Sequence, residues 1–98
     1  MHVSSYRGYR MHPHAEAKAE ERHIGIEAVL AALVFGSRYP ERKGRTLAIV
    51  DEAALDLASG FGVDLSKFLR LTLVLNDAER LVITCFVRRA AVASSIAA

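Results

Sequence analysis

An α+β fold is predicted by two features of the chain of 98 residues: an apolar helical period confined to its first third, and β-prone runs confined to most of the rest. A third feature, a short capped helical stretch between two pairs of β-prone runs, fixes the order of elements. The expected architecture is two N-terminal helices packed on a small twisted antiparallel sheet of about four strands, with a helical insertion between the two hairpins. A hydrophobic fraction of 52% against 24% charged residues lies far from the regime in which chains stay disordered. The length suits one core rather than two.

Each element has its own signal. The first residues show no period and are read as a flexible arm over residues 1–13. From His14 to His23 the run is built of strong helix formers, with Pro13 suited to the first turn. Ile26, Val29, Leu30 and Leu33 then make the i, i+3, i+4, i+7 stripe of a second helix, which Gly36 closes after Phe35. Ser37 to Val50 reads as two strands joined by an exposed basic turn around Pro40 and Gly44. Asp51 is placed to cap a helix that Gly60 ends, and Asp64 to cap a further turn over 65–69. Leu71–Leu75 and Leu81–Val87, joined across Asn76-Asp77, read as a hairpin of two largely buried strands. The small, uncharged segment 90–98 is open to three readings: disordered tail, partner-binding tail or packed terminal helix.

Composition narrows the function classes. A net charge of +2 does not demand a nucleic-acid partner, but the distribution of cations leaves room for one. Cys85 alone, inside an apolar run, rules out an intramolecular disulfide and suggests a reduced thiol in a cytoplasmic protein. No apolar stretch approaches the roughly 18 residues of a membrane span, so no membrane partner is expected. His2, His12, His14 and His23 lack acidic or thiol company at a ligand spacing, and the glycines are too scattered for a phosphate loop. Neither a metal nor another cofactor is expected.

His14-Ala15, then Lys18, Arg22 and Ile24, then Val29 to Leu33 and Phe35-Gly36, follow one another without gaps. This series resembles the HA-x-x-R-x-x-x-R-x-I … V-x-x-L-L-x-F-G opening of a small uncharacterised bacterial family related to BrnT-type toxins. The likeness continues through Gly44, the strand ending at Asp51, the helix closed by Gly60, and Val82-Ile83-Thr84 leading to Arg88, and so covers residues 14–89. It implies a RelE/ParE-like toxin domain over 14–89. Some members of that superfamily cut RNA, and some are neutralised by an antitoxin. Two departures stand out. Glu52 follows Asp51 where the family tends to carry a lysine, and Val87 precedes Arg88 where it tends to carry a histidine.

RNA cleavage through the 2′-hydroxyl needs a base, an acid and cations at the phosphate. His14, Arg22 and Arg88 are the candidate catalytic residues for a metal-independent endoribonuclease. Lys18, Arg38, Tyr39, Arg42, Lys43, Arg45 and Arg89 are the candidate RNA-binding set, Tyr39 by stacking. Each has a plainer reading. Lys18 and Arg22 can form ordinary ion pairs with Glu16 and Glu20, His14 can simply start the helix, and the basic cluster can be a solvated hairpin tip. The partners in view are RNA, an antitoxin-like protein, or a second copy through an uncovered sheet edge. The alternative to RNA chemistry is a non-catalytic protein-interaction module on the same fold.

Overall fold

The computed structural model describes residues 8–88. Most of the expected arm, together with Arg89 and the segment 90–98, lies outside the described residues. The elements in chain order are β1 (Arg10–Met11), α1 (Pro13–Glu21), α2 (Ile26–Phe35), β2 (Ser37–Pro40), β3 (Arg45–Ile49), α3 (Glu52–Ser59), β4 (Leu71–Asn76) and β5 (Leu81–Val87). Single turns of 3-10 helix cover Arg42–Gly44 and Ser66–Phe68. The α+β class, the two leading helices and the helix inserted between two antiparallel hairpins are as the sequence predicts.

The sheet has five strands in the order β1-β5-β4-β3-β2, with β1 parallel to β5 and every other pair antiparallel. This corrects the strand number and the purely antiparallel sheet expected from sequence, and it corrects the placing of residues 8–13 in an arm. Arg10 N–H donates to the Arg80 carbonyl at 3.0 Å and His12 N–H to the Val82 carbonyl at 2.9 Å. Tyr9 is buried and its hydroxyl donates to the Asp77 carboxylate in the β4–β5 turn. A strand of two residues offers no period to read, so it leaves no signal in the sequence.

All three helices pack on one side. α1 sets Ala15 and Ala19 against β5, and these small side chains let the helix approach closely enough for the Cys85 thiol to stand 3.8 Å from the Ala15 carbonyl. Burial raises the Cys85 thiol above its ordinary pKa, partly offset by the nearby Arg22 charge. α2 buries Ala28, Val29, Ala32 and Leu33 over β3 and β4, while Ile26 and Leu30 sit half-buried at the margin. The buried stripe is therefore rotated from the one the large apolar residues suggest, because the alanines take the closest contacts with the sheet.

Two close fits hold the middle of the chain. Gly36 carries the chain from α2 into β2 so tightly that a Cβ there would press on the Ala32 carbonyl oxygen and come within 3.3 Å of Ile49 N. At the hairpin tip Lys43 and Gly44 both have left-handed backbones, with φ of 62° and 72°. That geometry suits glycine far better than lysine. Gly36→Ala is expected to cost about 1–3 kcal/mol through overpacking against backbone, lowering Tm by about 4 °C or more in a thermal melt.

Candidate nucleic-acid interface

Strand register assigns every sheet side chain to one of two faces, because successive residues point to opposite sides. Ala48, Leu73 and Cys85 are register partners on the helix side, and they belong to a single core cluster with residues of α1, α2 and α3. The opposite face carries three rows. One crosses Arg45, Asn76 and Leu81; the next Tyr39, Leu47, Val74 and Thr84; the third Ser37, Ile49, Thr72 and Phe86. Leu47, Ile49, Val74 and Phe86 take no part in the core cluster. Among the described residues no helix covers this face; on it Leu47 and Thr72 are buried, Ile49, Val74, Thr84 and Phe86 are half-buried, and Tyr39 and Arg45 are exposed.

The open face is framed by polar anchors. Asp51 caps α3 by accepting from Ala54 N–H at 2.9 Å, and accepts from the Ser37 hydroxyl at 2.7 Å and the Tyr39 hydroxyl at 2.6 Å. Burial works to raise the Asp51 carboxyl, but these hydrogen bonds outweigh it and hold the group below its ordinary 3.8. The bond to Asp51, and secondarily burial, raises Tyr39 above 10.0. The ring is thus fixed by its hydroxyl with 44% of the residue exposed. About three strand spacings away, on the order of 14 Å, the Arg88 guanidinium stands 6.0 Å over the Phe86 ring. Arg88 Nε is buried, and among the described residues no acceptor meets it.

The predicted catalytic residues do not converge. His14 is exposed on the first turn of α1, where its backbone N–H donates to the side chain of His12, the actual cap. Arg22 stands eight residues further along, about 12 Å by helical rise. It donates to the Cys85 carbonyl at 2.8 Å, on the flank of β5 beyond the end of β1. Arg88 follows the strand onto the open face. His14 therefore belongs to the helix layer while Arg88 serves the other side of the sheet.

The predicted binding residues also divide. Lys18 pairs with Glu21 at 3.3 Å on the outer face of α1. Arg38 lies on the helix side and donates to the Leu33 carbonyl at 2.7 Å, closing the end of α2. Tyr39 and Arg45 share the open face, and Arg42 and Lys43 are exposed at the adjoining tip. The sequence does not single out Phe86, because the apolar runs of its hairpin predict two largely buried strands. Its one signal was a position two residues before Arg88, hence on the same face.

The sheet edges are guarded against pairing with another chain. β2 is four residues long and ends in Pro40, which has no N–H to offer. β5 is flanked first by β1 and then by the Arg22 guanidinium. Among the described residues no group of three His, Cys, Asp or Glu side chains could hold a metal ion. No helix there is long and apolar enough to cross a membrane. No family model, curated protein or solved structure matches this chain.

A carboxyl whose folded pKa is depressed stabilises the fold above its unfolded pKa, and that stability is lost as pH falls through the folded value. Asp51 acts in this sense, as does Asp77, held below 3.8 mainly by the Tyr9 hydroxyl. Denaturant unfolding is expected to show stability falling as pH drops below 3.8. Asp51→Asn is expected to flatten part of that acid limb while losing about 1 kcal/mol at neutral pH.

Proposed function

We propose that this is an RNA-directed domain of toxin-like type, which holds single-stranded RNA across the open sheet face and has lost the acid–base pair needed to cut it. The observation that carries the reading is the sheet face that no described helix covers, with the anchored Tyr39 ring at one side and Phe86 beneath Arg88 at the other. Unstacked bases pair well with aromatic rings on an open sheet, and each such stack contributes about 1–3 kcal/mol. Arg45 on the face and Arg42 and Lys43 at its tip supply charge for the backbone, and the partly exposed Arg88 guanidinium over Phe86 adds a fourth cation. The resemblance of residues 14–89 to BrnT-related domains points the same way.

The chemistry available on that face favours binding over cleavage. Its candidate proton-transfer groups are Tyr39 and Asp51, and they are bonded to each other. Tyr39 is pushed to a higher pKa and Asp51 to a lower one, so near neutral pH the first is a poor acid and the second a poor base. Glu52 and Val87 add neither a cation nor an imidazole at the positions where the resembling domains carry them.

Four phosphate contacts to a single strand give a slope of log affinity against log salt of about −3. Fluorescence anisotropy with labelled single-stranded RNA is expected to return that slope, and Arg42→Ala/Lys43→Ala/Arg45→Ala to reduce it by about 2. Tyr39→Ala is expected to weaken binding about tenfold while Tyr39→Phe, which keeps the ring, stays near wild type. Flat salt dependence, or equal binding by Tyr39→Ala, would refute the assignment. Intact RNA after prolonged incubation is the expected outcome of a cleavage assay.

A further inference from the structure

A second surface, on the far side of the molecule from the sheet's open face, is built by α2 and α3. The two helices meet through the Phe35 and Phe61 rings, whose centroids are 5.9 Å apart. Side chains four residues apart share a helix face, so Ala53, Leu57 and Phe61 form one outward ridge. The turn past Ser59 is continued by Phe61 N–H donating to the Ala58 carbonyl at 2.9 Å. Leu57 is 52% exposed and Phe61 73% exposed, the latter far beyond what a lone core-margin phenylalanine needs. On α2 the outward ridge runs Glu27, Ala31 and Val34, with Val34 also exposed.

The charge carried by the two helices themselves has one sign, while the Arg38 guanidinium at the end of α2 is held on the Leu33 carbonyl. α2 contributes Glu27, α3 contributes Glu52 and Asp56, and neither helix contains a lysine or arginine. Glu52 and Asp56 are one helical turn apart and flank the ridge of Leu57 and Phe61. The basic tip and Arg88 lie elsewhere, so the molecule separates an acidic apolar surface from a basic one. A second copy packed face to face would bring the two sets of carboxylates together, at a cost in repulsion. A basic partner gains from the same carboxylates.

We propose that the outer surface of α2 and α3 docks a basic amphipathic helix of a partner protein, its apolar face on Leu57, Phe61 and Val34 and its cations against Glu27, Glu52 and Asp56. The mode is helix-in-groove recognition, with apolar anchors giving affinity and the acidic margin giving orientation. The surface is independent of the RNA reading, since no residue in it belongs to the open sheet face.

The test uses the full chain and a synthetic peptide of about 14 residues, roughly four helical turns, with leucine and lysine in amphipathic order. A leucine–glutamate peptide of the same pattern is the control. Titration followed by amide chemical shifts is expected to perturb α2 and α3, and the control peptide to leave them unmoved. Leu57→Ser/Phe61→Ser and Glu52→Lys/Asp56→Lys should each weaken the lysine peptide about tenfold or more. Thermal melts check that both variants remain folded, which the exposure of all four positions favours, and binding of RNA should be unchanged in Leu57→Ser/Phe61→Ser, which leaves the charge as it is. Equal binding of the control peptide, shifts confined to the sheet, or undiminished affinity in both folded variants would overturn the proposal. So would sedimentation showing that wild type dimerises and Phe61→Ser does not, because a second copy would then be the occupant.

Discussion

The Asp51 carboxylate accepts hydrogen bonds from Ser37, Tyr39 and Ala54 N–H at the point where β3 hands the chain to α3. One side chain thereby starts a helix, ties the outermost strand to that helix and fixes the orientation of an aromatic ring. Backbone bonds on either side complete the join. Val50 N–H donates to the carbonyl of Leu71, the first residue of β4, at 2.9 Å, and Arg70 N–H donates to the Val50 carbonyl at 2.7 Å. A charged group half-withdrawn from water is costly unless its oxygens are satisfied. Here the number of donors overcomes the effect of burial, and the carboxyl titrates below its usual range.

The second constraint is the placement of every helix on one face. Among the described residues α1 packs on β5, α2 on β3 and β4, and α3 on α2, so all three lie on the same side of the sheet. The far side is an alternating strand surface with the exposed Tyr39 ring at one margin and the half-buried Phe86 ring at the other. The same one-sidedness explains why the predicted catalytic residues separate. A helix residue such as His14 and a post-strand residue such as Arg88 meet only if a side chain rounds the sheet edge, and the residue that does so, Arg22, goes to the Cys85 carbonyl instead. Two arginines that look available from sequence, Arg22 and Arg38, satisfy backbone carbonyls of the fold itself.

Much of the fold was legible because local signals agreed with the tertiary arrangement. The bounds of α2, the Asp51 cap, the closing turn at Gly60 and the final hairpin all follow from apolar spacing and residue types with known backbone preferences. β1 was not legible, since Arg10 and Met11 are held by the distant β5 rather than by any pattern of their own. Nor was the face of Phe86, because the mainly apolar run Leu81–Val87 reads as a strand buried on both sides. Of the site, the basic tip and Tyr39 could be read from sequence. Their separation from His14 could not, because sequence proximity and i+4 spacing say nothing about which side of a sheet a helix will lie on.

The proposed role puts nucleic acid on the sheet face that no described helix covers. Photo-cross-linking with single-stranded RNA carrying 4-thiouridine tests it most directly, since the reactive base must lie against a side chain to join it. Mass spectrometry is expected to place the adducts on peptides containing Tyr39 and Phe86, with none on α1 or α2. Adducts confined to the helix layer around His14 and Lys18, with both sheet peptides unmodified, would contradict the claim.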